Sequence, residues 1–365
     1  MTQPTTSLFD YTGSQLGELC SAMGLPDRET PVALLGDLLG PAGARAPREP
    51  PRWPSVVADD HTPVEYSIAL DDDGSKTVRI FGETLGDEPT HAANVRAARA
   101  LLASIARRYP IALERFRRIE DLFLPEEPRG KFVIWFSFIF RPGAAPDFKV
   151  YLNPLVRGDG GDRELVAEGC RRLGLAEAYD VAIAHGLERP SDRFLYFALD
   201  LKDDPSSRVK LYVLHPDAEP AIALRASEAT EGVDAGRLRA FCDDIGGPTP
   251  RFRGQPLVSG YTFVEGDHAR PSTYSLYLPV RDYTHDDEVA RARVRSHLER
   301  SRVDPETLDR ALAAVARRPL AEGSGLIAHV SLRLGGRKPG TSIYLSAEAF
   351  GVNPPHDEPV DEITM

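Results

Sequence analysis

The feature that most restricts this chain is a two-residue alternation that returns about every 65 residues. In Arg208-Val209-Lys210-Leu211-Tyr212 two cations and an aromatic ring occupy alternate positions, and residues two apart on a β-strand share one face. The same phase holds Arg79 with Phe81, Lys149 with Tyr151, Ser275 with Tyr277, and Ser342 with Tyr344. With Arg79, Lys149, Lys210, Ser275 and Ser342 as markers, the successive spacings are 70, 61, 65 and 67 residues. Regular spacing of this kind marks an internal repeat of one supersecondary unit.

Each marker strand follows a second strand-like run. The pairs are Val64–Leu70 with Thr77–Gly82, Phe132–Phe140 with Phe148–Asn153, Phe194–Leu201 with Arg208–Leu214, Leu257–Val264 with Thr273–Val280, and Leu326–Leu334 with Thr341–Ala347. Turn residues separate them: Asp71–Gly74, Arg141–Gly143, Asp203–Pro205, Glu265–Asp267 and Gly335–Gly336, as expected of hairpins. Helical spacing fills the intervals at Asn94–Tyr109, Ala112–Leu124, Arg163–His185, Val233–Ile245, Asp287–Arg300 and Pro305–Arg317, and at Gly13–Leu39 ahead of the first hairpin. Asp304-Pro305 is a helix start, with Asp as cap and Pro at the first helical position.

Five hairpins separated by helices predict an α+β fold: a ten-stranded antiparallel barrel of five ααββ repeats with the helices outside, which leaves no exposed sheet edge. Ten strands enclose a lumen wider than side chains alone fill. The phase of Val78, Ile80, Val150, Val209, Leu211, Leu276, Leu278, Ile343 and Leu345 is apolar and suits the helices, so the cations and tyrosines face the bore. The even repeat predicts one domain over residues 1–365, with N-terminal helices at about 13–40, barrel repeats at about 63–350 and an acidic tail at 352–365 outside the barrel. Arg45–Pro54, rich in Arg and Pro, is a loop leading into the first hairpin.

A net charge of −11 argues against a nucleic-acid or anionic-membrane partner; a cationic bore inside an acidic shell suits a small anion. Cys20, Cys170 and Cys242 lie far apart without metal-ligand spacing, which fits reduced thiols of a cytoplasmic protein. The start of the chain has no basic and apolar leader, and Phe132–Phe140 is too short to span a bilayer.

Arg79, Lys149, Arg208 and Lys210 come from three adjacent hairpins and can converge on one multiply charged group such as diphosphate. A single strand Arg or Lys is as readily the decoration of a solvated face, but registration with tyrosine in three consecutive hairpins has no structural motive. Tyr151, Tyr212, Tyr277 and Tyr344 would form a ring of electron-rich faces beside that site, able to shelter a cation. An anion grip beside an aromatic cage points to heterolysis of an allylic diphosphate. The acidic pairs Asp59-Asp60, Asp71-Asp72, Asp203-Asp204, Asp243-Asp244 and Asp286-Asp287 make no DDxxD motif and lie in turns or at helix ends. Basic side chains are therefore expected in place of a metal, with no obligatory cofactor. Glu65 stands inside the first strand, where Glu is disfavoured; in phase with Ser67 it would face the bore and accept a hydrogen bond from the nucleophile's N–H or O–H.

These residues resemble the dimethylallyltryptophan synthase type of aromatic prenyltransferase, the ABBA barrel, over about Pro63 to Phe350. Pro63-Val64-Glu65 looks like that family's P-x-E segment, and the stretch DLKDDPSSRVKLY from Asp200 to Tyr212 is similar to its D-L…S-R-[VI]-K-[LIV]-Y. The resemblance implies that Glu65 binds the indole N–H, that Arg79, Lys149, Arg208 and Lys210 hold the diphosphate of dimethylallyl diphosphate, and that the four tyrosines shield the dimethylallyl cation. Departures from the fungal pattern are Ser275 in place of Gln or Lys, Asn153 in place of Tyr, and the apolar run Val133–Phe136 where some members carry a Lys that removes the ring proton. The Arg that clasps the amino-acid carboxylate in fungal forms has Arg193 as its nearest counterpart, two places off. Compact length and Ala/Arg/Pro-rich composition resemble the bacterial branch, many of whose members act on tryptophan. Transfer to a phenol or a peptide indole, and a non-catalytic barrel holding a phosphorylated ligand, remain as alternatives.

Overall fold

The structure, a computed structural model, describes residues 6–47, 49–158, 160–249, 251–264, 270–336 and 338–356. The fourth hairpin turn, Glu265–Asp267, and residues 357–365 of the acidic tail lie outside the described residues. Ten strands, β1 (Val64–Asp71), β2 (Lys76–Glu83), β3 (Ile134–Phe140), β4 (Asp147–Leu152), β5 (Arg193–Asp200), β6 (Arg208–His215), β7 (Leu257–Val264), β8 (Thr273–Leu278), β9 (Ile327–Leu334) and β10 (Gly340–Ser346), form a closed antiparallel barrel in sequence order. The pairing of β1 with β10, from Glu65 opposite Ser346 to Asp71 opposite Gly340, closes the ring.

Alternation along these strands divides the barrel cleanly. Tyr66, Ile68, Val78, Ile80, Phe136, Phe138, Val150, Leu211, Leu276, Leu332 and Ile343 point outward into one continuous apolar layer under the helices. That layer accounts for most of the core, because each buried aliphatic or aromatic side chain is worth about 1.5–3 kcal/mol. The opposite phase carries the polar and aromatic groups of the lumen. Among the described residues, the turns after β1, β3, β5 and β9 fall at one barrel mouth and the helix connections at the other.

The helices are α1 (Leu8–Ala22), α2 (Glu29–Leu39), α3 (His91–Arg108), α4 (Glu114–Arg117), α5 (Glu120–Phe123), α6 (Asp162–Arg172), α7 (Ala176–Gly186), α8 (Pro220–Ser227), α9 (Ala235–Gly246), α10 (Asp287–Arg300) and α11 (Glu306–Val315). Three differ from expectation. The 163–185 segment splits because Gly174 takes φ +75°, with Leu175 N–H donating to Cys170 O and Gly174 N–H to Arg171 O, a Schellman termination. The 112–124 segment forms only two single turns, since Ala112 N–H is drawn to Leu201 O at the end of β5. Helix α8 was not expected; its signal was Pro220 at the first turn after Glu219. Asp304 still caps α11, accepting from Glu306 N–H at 3.0 Å, with the helix starting one residue later than read. Cys20, Cys170 and Cys242 are buried and free. Among the described residues no helix is long and apolar enough to cross a membrane.

Helix α1 is locked to the barrel by polar groups in an apolar layer. Tyr66 Oη donates to Thr12 O at 2.7 Å, and Gln15 Nε2 donates to both Val315 O (2.8 Å) and Ala347 O (3.0 Å). Gln15 thus ties α1 to the end of α11 and to the chain leaving β10. Gln15→Ala leaves two carbonyls without this donor, and we expect a loss of about 2–3 kcal/mol in urea unfolding with the fold retained; a loss below about 0.5 kcal/mol contradicts that role.

Candidate active site

The lumen opens at the hairpin mouth as a cavity of about 1740 Å³ whose rim draws on all five turns, from Gly74, Pro142, Pro205, Pro271 and Gly336 among others. Its polar depth is set by strand phase. Arg79, Lys149, Arg208 and Lys210 all line it, as do Tyr151, Tyr212, Tyr277 and Tyr344. A fifth cation, Arg333 on β9, joins them.

Two carboxylates hold the like charges together. Asp200, 4% exposed, meets Arg208 through Nε at 2.6 Å and Nη2 at 3.3 Å, and Lys149 Nζ at 3.4 Å. Burial works against its charge, yet Lys149 and Arg208 outweigh it and hold the carboxyl well below the usual range. Asp71 pairs with Arg333. Arg79 is held by Ser342 Oγ at 3.2 Å. Lys210 rests on Ser275 Oγ (3.1 Å) and Tyr277 Oη (2.8 Å), 5.0 Å from the ring centres of both Tyr212 and Tyr277. Within this cluster five cations against two carboxylates leave a formal excess of three positive charges. Burial, despite Asp200, lowers Lys149 to about 8; burial and the neighbouring cations take Lys210 well below the ordinary lysine range.

Beneath the cations the four tyrosines form a chain. Ring centres are 5.7 Å apart for Tyr151 and Tyr212, 5.6 Å for Tyr212 and Tyr277, and 5.9 Å for Tyr277 and Tyr344. Tyr196, 5.5 Å from Tyr212 and 5.9 Å from Tyr151, completes a collar that Phe81 and Trp135 extend. Under the collar lies Glu65, 5% exposed. Its alternation with Ser67, which lines the large cavity, puts it on the same inner face as Lys149 and Lys210. Aromatic packing narrows the bore at this depth, and Glu65 borders a separate space of about 20 Å³ with Arg281, His329 and Ser346. Burial pushes the Glu65 carboxyl up to about 8; Arg281 opposes this, and Asp59 reinforces it.

Arg193 is not brought to this assembly. It begins β5 at the helix-side mouth, is exposed, and lines none of the cavities described. A buried arginine that shares the small space with Glu65 is Arg281, whose Nη2 donates to Asp59 at 3.1 Å and Nη1 to Ala328 O at 3.0 Å. Sequence reasoning missed Arg281, Arg333 and Tyr196. Arg333 sits in alternation with Ser331 on β9 and could have been found from that phase; Tyr196 is masked by a register shift between Phe194 and Tyr196; Arg281 lies in a short turn after β8 and has no periodic signal.

Room for Lys210 depends on the absence of a side chain opposite it. A Cβ on Gly260 would stand 2.5 Å from Lys210 Cε and 3.1 Å from Nζ. Gly260→Ala must push the ammonium out of its place, so affinity for inorganic diphosphate measured by calorimetry should fall about tenfold, ~1.4 kcal/mol, at unchanged melting temperature. Unaltered affinity would show that Lys210 takes no part in holding the anion.

The arrangement can seat a multiply charged anion at the hairpin side, flank a carbocation with π faces, and present a carboxyl below it. A profile of the family described as tryptophan dimethylallyltransferase matches residues 33–226. The chain is similar over its length to 6-dimethylallyltryptophan synthase from Micromonospora olivasterospora, whose crystal structure is in complex with DMASPP and Trp. The two share 48% identity and a TM-score of 0.92, covering 96% of this chain and 99% of that one. The prenyltransferase PriB, in a ternary complex with L-tryptophan and dimethylallyl thiolodiphosphate, is 35% identical with a TM-score of 0.91, covering 97% and 99%. The 5-dimethylallyltryptophan synthase from Streptomyces coelicolor is 34% identical with a TM-score of 0.89, covering 96% and 100%. With its ten-stranded barrel, its ring of cations and tyrosines and these likenesses along nearly its whole length, this chain belongs to the tryptophan dimethylallyltransferase family.

Proposed function

We propose that the protein transfers a dimethylallyl group from dimethylallyl diphosphate to the indole ring of tryptophan. The observation that carries the reading is the stacking, along one bore, of five cations, an unbroken tyrosine chain and the buried carboxyl of Glu65. In this reading Arg79, Lys149, Arg208, Lys210 and Arg333 bind the diphosphate. The carbon–oxygen bond of the donor breaks, its electron pair leaves with diphosphate toward the mouth, and the cations stabilise that charge as it develops. Tyr151, Tyr212, Tyr277 and Tyr344 keep water from the allyl cation. An indole ring carbon forms the new bond, and the ring then loses a proton. Glu65 accepts a hydrogen bond from the indole N–H, which positions the ring and enriches it in electrons. Arg281, beside Glu65, supports the charged end of the acceptor in place of Arg193. The positive excess of the lumen does the work of a divalent cation, so no cofactor is required, and the free thiols suit a cytoplasmic enzyme.

The acceptor has to enter the layer between the collar and Glu65. Tyr196 and Tyr344 border it, since the Glu65 charge adds to the rise in both phenols' pKa that burial begins.

Two measurements test the reading. Incubation with L-tryptophan, dimethylallyl diphosphate and a chelator should give prenylated tryptophan, and Glu65→Ala should lower kcat by about 10²-fold or more. Full turnover by Glu65→Ala sinks the role of that residue. Glu65→Gln separates chemistry from folding. The native carboxyl keeps a proton up to about 8 that the unfolded chain gives up near its ordinary value, so the parent loses stability as pH rises through that window. The stability margin of Glu65→Gln over the parent should therefore widen from about pH 5 to about pH 8 and then hold constant.

Donor binding has its own signature. Lys149 and Lys210 are poor bases in the open cavity, and a bound anion restores their protonated forms. Binding of inorganic diphosphate at pH 8 should take up protons, seen as a calorimetric enthalpy that varies with the buffer's ionisation heat, and affinity should fall as pH rises. An enthalpy independent of buffer would place both ammonium groups fully charged beforehand.

A further inference from the structure

The transfer proposed above leaves one step without a residue. Once a ring carbon has bonded to the allyl cation, that carbon must lose its proton to a base. The described side chains on the inner face below the collar narrow the choice. Burial lifts the Glu65 carboxyl to about 8, and in this reading it is already bonded to the indole N–H. Glu83 is buried on the inner phase of β2 opposite Trp135, but its Oε2 accepts from Trp53 Nε1 at 3.1 Å and from Ser55 Oγ at 2.7 Å, and it lines none of the cavities described. Asp59 is taken by the Arg281 guanidinium. Tyr196 and Tyr344 are phenols that burial keeps protonated.

His329 is left. It stands on β9 in phase with Ser331 and Arg333, which line the large cavity, and opposite Tyr344 in the ladder, whose ring it meets edge-on with centres 6.3 Å apart. That puts it level with the collar, one inward-facing position nearer the hairpin mouth than Glu65, whose partner on β10 is Ser346. His329 is only half-buried and borders the small space with Glu65. The two belong to strands on either side of β10, about 10 Å apart at sheet spacing, a gap that an indole bonded to Glu65 through its N–H is long enough to bridge.

Arg281 does not use up the ring's basicity. Its Nη1 lies 3.2 Å from Nδ1 and 3.3 Å from Nε2 of His329. A donor so nearly equidistant from the two nitrogens would strike the carbon between them if it lay in the ring plane, so it stands over the ring face and fills neither lone-pair direction. Neither nitrogen has another hydrogen-bond partner among the described residues, and a neutral imidazole keeps a lone pair on one of them. Burial and the Arg281 charge hold His329 well below the ordinary histidine range, so the ring enters each cycle uncharged.

We propose that His329 is the base that takes the ring proton from the prenylated indole, an inference that rests on the transfer reading above. The proton goes to the open imidazole nitrogen, the electron pair of the C–H bond returns to the ring and restores its aromaticity, and the new carbon–carbon bond stays. The alkylated ring is a far stronger acid than an imidazolium, so a weak base is enough, and an imidazolium facing Arg281 gives its proton on readily. A hollow of about 370 Å³, walled in part by the exposed Asn353 and Pro354, shares Asp59, Arg281, Ser324 and Asn353 with the small space. It offers that proton a way to solvent at the end of the bore opposite the departing diphosphate.

The full-length protein is assayed with dimethylallyl diphosphate and L-tryptophan, light or deuterated at the indole carbons. His329→Asn should lower kcat about 10²-fold while inorganic diphosphate binds with the parent's affinity, and proton loss, now the slow step, should show a primary isotope effect that the parent lacks. His329→Ala should regain turnover as imidazole is added. Full turnover by either variant overturns the assignment. So does a variant slowed equally on light and heavy tryptophan and deaf to imidazole, which is how a merely positioning residue behaves. A parent that leaves tryptophan unprenylated sinks the transfer reading, and this inference with it.

Discussion

Closure of the ladder between β1 and β10 is the constraint from which the rest follows. A sheet that meets itself has no edge to protect and one face that helices cannot reach. The outward phase is therefore free to be wholly apolar, and the inward phase is free to carry charge, because ten strands leave a bore that stays wet at its hairpin end. An open sheet with the same alternation would have put Arg79, Lys149, Arg208, Lys210 and Arg333 on a solvated surface, where each would be worth little. Inside the bore they are crowded and partly dried, and their repulsion persists because Asp200, between Lys149 and Arg208, and Asp71, on Arg333, do not cancel the total.

Along the axis the lumen changes character in a way that matches the order of charges in an allyl transfer. The cation-rich end faces the open mouth, where diphosphate can depart. The collar of tyrosines follows, with Lys210 lying against two of its rings. Those rings would be indifferent to an anion, but they favour a cation once one forms. Beyond the collar lies Glu65, whose carboxyl burial raises to about 8. An ionised Glu65 placed among the cations would have paired with one of them. Distance along the bore, enforced by the aromatic layer, keeps Glu65 apart from the five cations near the mouth.

Strand period made most of this legible. Where alternation is strict, as in Arg208–Tyr212 or Ser342–Tyr344, one look at the phase assigns each side chain to helix or lumen, and the register in the structure agrees. Where it is broken, the reading fails for identifiable reasons. The shift between Phe194 and Tyr196 hides Tyr196 in an apolar run. Arg333 has no aromatic residue two places on, so the cation–aromatic signature that revealed the others is absent there. Arg281 stands in a turn with no period at all. Arg193, by contrast, was picked for its nearness in sequence alone, and a strand's first residue at the far mouth is free to point to water. Glu83 is the clearest omission: a Glu at the end of β2 reads as a solvated turn acid, and only the folded loop that brings Trp53 and Ser55 over it makes it a buried one.

The outer face shows why access has to enter any reading of polar clusters. Asp192, His215 and Ser259 stand in the order of a nucleophilic triad, with His215 Nδ1 at 3.2 Å from Asp192 and Nε2 at 2.8 Å from Ser259 Oγ. All three are buried, and none lines a described cavity. Ser259 continues to Tyr274 Oη at 2.8 Å, and Tyr274 donates to Ala223 O at 3.2 Å in α8. The chain of bonds therefore ends on a helix backbone, as does that of Tyr261 on Ala226 O. A fully satisfied network in a low-dielectric layer fixes position strongly, and here it fixes α8 against β7 and β8. The Lys210 ammonium, on the far side of the same sheet, bonds Ser275 and Tyr277 while facing open volume. Two polar clusters thus differ in the presence of open space beside them, and that difference sorts the purely structural cluster from one that a substrate can reach.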